Sequence, residues 1–508
     1  MNLYQGRSIW SVSWFWLGIA SVLFLSLSLR FWKISQFNTL VFDEVYIAKF
    51  ANNYLTHTPF WHSHPPLGKY LIAIGIWIAS LNPFGYDSLN SLTGSILSPF
   101  SYRWLNALIG SLIPLVIAGI AYQLSHRRSY ALIAGLLAAA DGLLLVESRY
   151  ALLNIYLLFF GLLGQWLFLL ALDNQPGRRG FFLTLSGACF GASTAVKWSG
   201  LGFLVGIYLV WISAWVIRWL QSFRSIATYS SSASNPSATI MRHGASTYTP
   251  LQNLTQLKLS HLLFDLGAIP ALVYRLAWIP HLQLNPELNF WTLQKLILVG
   301  HQQVGSGSEV HPYCSLWYTW PWMIRPVAYF YYIASDIAEP VPSLGPPLPG
   351  NAGTVIYAVN GMGNPVLWWL STATILFLLG ILAKRICLEV TVVISKSLAV
   401  QQSISFTGID CWIGLYLVLN YTANYLPWMK VTRCTFLYHY IGASIFAFLA
   451  IAWMVDLWLR SNQPRLQALG VTVIFLILLA FIFWLPVYLG LPLSSENFLS
   501  RMWFRSWI

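Results

Sequence analysis

At 508 residues, of which 57% are hydrophobic and 8% charged, the chain falls far below the roughly 25% charge of a soluble domain and reads as a polytopic membrane protein. A net charge of +13 would suit a nucleic-acid partner, but Lys and Arg fall in short clusters between apolar stretches. That pattern reflects membrane topology and excludes a DNA-binding face.

In chain order, about eleven segments are long and apolar enough to span a bilayer, so an all-α polytopic fold is expected. The first, residues 10–31, lacks a small-residue cleavage site and is expected to remain as an anchor. A polar loop, 32–103, follows it, and then come spans near 104–123, 130–147, 150–171, 181–196 and 199–219. The Ser-rich stretch 220–260 reads as a flexible cytoplasmic loop before a span near 262–282. A second long loop, 283–363, carries a Pro- and Gly-rich stretch at 343–353 and leads to spans near 364–383, 405–426, 436–459 and 467–489. Neither loop suggests a separate folded domain, so residues 1–508 are read as one transmembrane domain.

With the N-terminus in the cytoplasm, strict alternation puts Arg127/Arg128, Arg178/Arg179, Arg218/Arg224, Lys384/Arg385 and Arg460/Arg465 all on the cytoplasmic side. Arg30 and Lys33 are the named exceptions. The 32–103 loop, the Glu147/Arg149 and Lys197/Trp198 turns, the 283–363 loop and the Thr432-Arg433 loop all fall on the opposite side. The five cysteines, Cys189, Cys314, Cys387, Cys411 and Cys434, show no CxxC spacing. Cys314 and Cys434 share the outer side, with free thiols favoured over a pair. Asn253-Leu254-Thr255 matches a glycosylation acceptor, but on the cytoplasmic side it is read as chance.

Ionisable residues concentrate on that outer side. Asp43 and Glu44 are neighbours whose side chains diverge, so one can face a cavity while the other makes structural bonds. A carboxylate there can take the proton of an alcohol; the plainer alternative is a cap for a short helix beginning near Val45. His64-Pro65-Pro66-Leu67-Gly68-Lys69 forms a rigid bend in which Lys69 either binds phosphate or snorkels. Arg103 and Arg149 offer planar forks for phosphate oxygens or structural ion pairs. Asp141, inside the third span, has to face protein or water. His311, the aromatic run Trp317 to Trp322, and Arg325 suit either a sugar site or an interfacial belt. Arg433 and His439 read as anchors or ligands.

Taken together, Phe42-Asp43-Glu44, His64-Pro-Pro-Leu-Gly-Lys69, Tyr102-Arg103, Val146-Glu147-Ser148-Arg149-Tyr150-Ala151-Leu152-Leu153-Asn154, Val196-Lys197-Trp198 and Phe436-Leu437-Tyr438-His439-Tyr440 resemble the protein O-mannosyltransferase family. His311-Pro312-Tyr313, Trp320-Pro321, Arg325-Pro326 and Gly363-Asn364-Pro365 resemble its bacterial branch. The resemblance implies a GT-C membrane fold with large extracytoplasmic loops, in the cell membrane. It also implies a polyprenyl-phosphate-mannose donor and inverting transfer to Ser or Thr hydroxyls of exported proteins, with the Sec export machinery as an expected partner.

By the same resemblance Asp43 is the candidate general base, with Glu44 as its acidic partner and Arg103 as the family's arginine. The expected substrate-binding set is Glu44, His64, Lys69, Arg103, Arg149, Lys197, His311, Arg325, Arg433 and His439. No cofactor is firmly implied; a divalent ion held by Asp43 and Glu44 is the less favoured alternative. Asn154 stands where many members carry Asp, and the chain has no room for the MIR domain of eukaryotic members. The rival readings are another GT-C transferase acting on a lipid or glycan acceptor, and a transporter, which would hold its ligands near mid-membrane.

Overall fold

The computed structural model describes residues 9–81, 88–231, 250–334, 354–395 and 408–508. Residues 232–249 of the 220–260 loop and all of the 343–353 stretch therefore lie outside the described residues, while the two ends of that loop are helical. Helices α1 (Ile9–Phe31), α2 (Glu44–Leu55), α3 (Leu67–Ser80), α4 (Pro99–Ser125), α5 (Arg128–Ala139), α6 (Gly142–Arg149), α7 (Asn154–Asp173), α8 (Pro176–Val196) and α9 (Leu201–Ser231) build the first half. The second half centres on helices Pro365–Ser395, Gly408–Tyr425, Ile441–Leu459 and Pro464–Leu489.

Among the described residues eight helices are long and apolar enough to cross a bilayer, and the bent pair α5/α6 makes a ninth. The other two expected spans are helical, as α8 and Gly408–Tyr425, but lie outside that apolar set. Polar residues such as Asp410, Asn420 and Asn424 face protein in the latter helix and dilute its hydropathy. The span Leu437–Leu459 is 89% buried and forms the bundle's centre, whereas Trp14–Phe31 is 17% buried and lies at its rim.

Local chemistry sets the breaks. Ser98 caps α4 by accepting from Ser101 N at 3.3 Å, with Pro99 at the first helical position where its missing N–H costs nothing. The third span bends by 60° between α5 and α6. There the buried Asp141 accepts from Leu144 N at 2.9 Å, Asn364 N at 3.1 Å and Trp368 Nε1 at 2.8 Å. An acid that would be costly in lipid is thus the cap that allows the bend.

The fold is mostly helical, as expected; what was not expected is an antiparallel sheet that packs at the site end in the order β1 (Val327–Ala334), β2 (Val355–Gly361), β3 (Pro492–Ser494). The β1/β2 register runs from Val327 opposite Gly361 to Ala334 opposite Val355, with a shift between Ala328 and Phe330 that makes Tyr329 the bulged residue. Bulges re-aim a side chain, and the Tyr329 ring stacks on Phe42 with centroids 4.2 Å apart.

The free-thiol expectation is also corrected: Cys314 and Cys434 form a disulfide. It joins the 283–363 loop to the Arg433 segment, beside paired backbone bonds from Ser315 N to Thr435 O and from Cys434 N to Gly305 O, each 2.8 Å. Arg30, an exception to the charge rule, is fully buried and donates to Ser148 Oγ at 2.9 Å and Ser26 Oγ at 2.8 Å. A cation held inside the protein does not report on topology. The helix directions put Asp43, Lys197 and Leu437 at one end of the bundle, and Arg127, Arg178 and Asp456 at the other.

Candidate active site

Asp43 occupies the position before α2, yet its carboxylate makes no cap hydrogen bond. The preceding Phe42 has a left-handed backbone, φ +53°, an uncommon conformation for a bulky residue and one that persists only where packing enforces it. The Phe42 ring is held face-on by Tyr329 and edge-on by Tyr438 at 5.9 Å, so Asp43 turns into a cavity instead of onto the helix. Phe42, Asp43, Ile47, His64, Glu147, Leu152, Leu153, Asn154 and Lys197 line that cavity.

Glu44, one residue on, points the other way. Its Oε1 accepts from Arg103 Nε and Ala151 N, both at 2.8 Å; its Oε2 accepts from Arg103 Nη2 at 2.7 Å and Val41 N at 2.8 Å. Arg103 also donates to the carbonyls of Ile34 at 3.1 Å, Phe37 at 2.9 Å and Thr39 at 2.7 Å. All five of its N–H groups are therefore engaged. Both residues are fully buried, and neither lines the cavity. Arg149 gathers the carbonyls of Leu29 at 2.8 Å, Arg30 at 3.2 Å and Trp32 at 2.7 Å at the C-terminal end of α1, where a cation complements the helix dipole. Arg103 and Arg149 thus hold the loop after α1 in place, with their donors turned away from any phosphate in the cavity.

Lys69 is 1% exposed and donates to His64 O at 2.9 Å and Pro65 O at 3.0 Å, so it pins the His-Pro-Pro bend instead of snorkelling. A Cβ on Gly68 would come within 2.7 Å of a Leu153 methyl, so glycine lets the bend pack closely there without displacing that side chain. His64 is delivered to the cavity wall by this bend. Burial, reinforced by the charges of Lys197 and His62, drives its imidazole well below the ordinary histidine range, leaving it neutral at pH 7.

Lys197, at the end of α8, donates to Asn154 Oδ1 at 2.8 Å and lies over the Tyr438 ring. It lines both the Asp43 cavity and a second one, formed by Asn154, Leu157, Ser199, Asn424, Trp428, Tyr438, His439, Ile441 and Gly442. Burial pushes the Asp43 carboxyl above the usual carboxylate range, opposed by the Lys197 and His311 charges. Burial likewise lowers the Lys197 ammonium, opposed by Asp43 and Glu147. Arg433 is close enough for its charge to act on Lys197, and it donates to the Cys434 carbonyl at 2.9 Å.

The structure therefore brings together Asp43, His64, Lys197 and His439, with Arg433 nearby. His311 packs on Phe436 with ring centroids 5.0 Å apart and influences Asp43 through its charge. Arg325 donates to Pro312 O at 3.1 Å and Ser506 O at 2.6 Å, bracing the loop. Asp43 and Glu44 do not converge on a common point, which removes the geometry of the divalent-ion alternative. Among the described residues no group of three or more His, Cys, Asp or Glu side chains forms a ligand cluster.

The sequence reading missed Glu147, Asn154 and Tyr329 as site residues. Tyr329 donates to Glu147 Oε1, and Asn154 Nδ2 donates to the same oxygen at 3.1 Å, forming a chain that runs on to Lys197. An acid in the apolar run Leu143 to Val146 was the available signal.

A half-buried carboxylate and a buried ammonium lining one cavity, at one end of a helix bundle, suit a membrane-embedded group-transfer enzyme. The family model described as "Dolichyl-phosphate-mannose-protein mannosyltransferase" matches residues 20–284, and "C-terminal four TMM region of protein-O-mannosyltransferase" matches residues 287–507. A polyprenol-phosphate-mannose–protein mannosyltransferase of Mycolicibacterium smegmatis is 25% identical, covering 87% of this chain and 81% of the relative. Its counterpart in Corynebacterium glutamicum is 26% identical with the same coverage, 87% and 81%. The Saccharomyces cerevisiae protein O-mannosyltransferase Pmt1-Pmt2 complex bound to the sugar donor superimposes with a TM-score of 0.73 at 15% identity, covering 97% of this chain and 92% of the other. The fold is that of GT-C glycosyltransferases. The chain belongs to the dolichyl-phosphate-mannose–protein mannosyltransferase family.

Proposed function

We propose that this enzyme transfers mannose from polyprenyl-phosphate-mannose to Ser or Thr hydroxyls of exported proteins, with inversion, at the extracytoplasmic face of the cell membrane. The observation that carries the reading is the pairing of Asp43 and Lys197 across one cavity in a chain of this family. The acceptor O–H gives its proton to Asp43 as the oxygen bonds to the anomeric carbon. The bond from that carbon to the phosphate oxygen breaks on the far side, and polyprenyl phosphate leaves with the electron pair. Lys197 and Arg433 offset its charge, so positioning and electrostatics supply most of the acceleration.

The second cavity, with Leu157, Trp428, Tyr438 and Ile441 in its walls, suits the junction of phosphate and prenyl chain. Glu44, Arg103, Arg149 and Lys69 hold the loops; His64 and His439 line the cavities; His311 and Arg325 order the outer loop. Two features support the outward orientation: the paired arginines sit at the end opposite Asp43, and disulfides such as Cys314–Cys434 persist in oxidising compartments. Acceptors leaving the Sec machinery would meet the site unfolded.

Purified protein given labelled polyprenyl-phosphate-mannose and a Ser/Thr peptide should label the peptide. Label appearing only in lipid or glycan would replace this reading with that of a transferase of a different acceptor class.

A further inference from the structure

We propose that Glu147 reads the donor sugar, its Oε2 accepting a hydrogen bond from the hydroxyl on C2 of mannose. The inference rests on the function proposed above and extends it to sugar selectivity.

Glu147 lines the same cavity as Asp43 and Lys197 and is 1% exposed. Its two oxygens are unlike. Oε1 is occupied twice, by the Tyr329 hydroxyl and by Asn154 Nδ2 at 3.1 Å. Oε2 is buried and finds no hydrogen-bond partner among the described residues. A buried acceptor left without a donor is costly, and more so on a carboxylate, so such an atom at a cavity wall signals a missing donor. Much of the surrounding wall is apolar: Phe42, Ile47, Leu152 and Leu153. Asn154 is engaged at both ends of its amide, by Glu147 and by Lys197 at 2.8 Å. Sugar hydroxyls are donors of the required kind.

The reaction geometry selects the hydroxyl. The anomeric carbon has to lie between an acceptor oxygen at Asp43 and a phosphate at Lys197. Glu147 is within electrostatic reach of both groups. The hydroxyl nearest that line is the one on C2, the carbon bonded to the reacting centre. C2 is also where mannose and glucose differ, so a fixed acceptor there discriminates between them. The structural alternative is that Glu147 merely ties α6 to α7 and β1; Oε1 alone accomplishes that.

The test compares kcat/KM for polyprenyl-phosphate-mannose with that for its 2-deoxy analogue, on a Ser/Thr peptide, in the wild type and in Glu147→Gln. Gln keeps an oxygen for Tyr329 and Asn154 but replaces Oε2 with an amide nitrogen. The intrinsic reactivity of the 2-deoxy donor cancels in the ratio of ratios. The wild-type preference for mannose should fall at least about tenfold in the variant. A preference unchanged within about threefold overturns the inference while leaving mannosyl transfer intact. A wild type that transfers no mannose overturns the function and this inference with it. Should Glu147→Gln fail to fold, the wild type offered the 2-, 3- and 4-deoxy donors decides: the 2-deoxy donor has to be the poorest, and any other order overturns the assignment.

Discussion

Two charge clusters start from adjacent residues, Asp43 and Glu44, and behave oppositely. Around Glu44 and Arg103 every charged donor and acceptor has a protein partner. Around Asp43, Glu147 and Lys197, a carboxylate without a cap bond and an orphan oxygen face a cavity. Closed clusters fix a shape; open ones are left for a substrate to complete. Adjacent residues 43 and 44 belong to different clusters because the left-handed Phe42 and the start of α2 send their side chains apart.

The sharpest break in the comparison is Asp43→Asn. Transfer should fall on the order of 10³-fold or more, from loss of the base and of a pre-oriented charge. The thermal midpoint should hold, because the carboxylate makes no cap bond; a comparable fall in midpoint would move Asp43 into the closed cluster. Next comes Arg103→Met, which leaves Glu44 buried and uncompensated, at a cost of about 3–5 kcal/mol. It should be seen as lost folded protein in detergent, with partial recovery when Glu44→Gln is added. An isolated Arg103→Met that folds normally but cannot bind donor would instead place Arg103 among the ligands.

Lys197→Met should weaken binding of polyprenyl phosphate by about 10- to 100-fold, measured by competition, with the helix content unchanged. The pH profile should give a smaller, graded effect. Because burial raises the Asp43 carboxyl, activity is lost as pH falls through its folded-state value. Stability moves the other way: an acid raised on folding contributes most below its unfolded value, and that contribution is lost as pH rises through the folded one. Asp43→Asn should remove this opposition, and an acid limb that survives the substitution belongs to another group. Smallest of all, Arg325→Gln should change donor kcat/KM by less than about threefold, since Arg325 donates to backbone carbonyls of the loop and C-terminus.

The helices were legible because a bilayer demands long apolar runs, and all eleven expected spans fall on helical segments, although α9 and Pro365–Ser395 run on past the expected ends, the span near 262–282 is built of consecutive shorter helices, and the third is the bent pair. The cluster of ionisable residues was legible for the same reason: polarity stands out against that background. Partnership was not. Nothing along the chain distinguishes Arg103, closed by the carbonyls of Ile34, Phe37 and Thr39 and by Glu44, from Lys197, open to two cavities, because hydrogen-bond partners are set by tertiary contact. The strand Val327-Ala-Tyr-Phe-Tyr-Tyr-Ile-Ala334 carried the aromatic and β-branched bias of its class, but in an aromatic-rich chain that bias does not stand out, and the segment was left within the 283–363 loop. Glu147 was passed over as an ion-pair partner because its value lies in one oxygen, which composition cannot resolve.

The bridge between Cys314 and Cys434 spans 120 positions of sequence, and the helices Pro365–Ser395 and Gly408–Tyr425 lie between its halves. It can therefore close only once both have been threaded through the insertion machinery, so its formation is a late milestone of biogenesis that ties the outer roof across them.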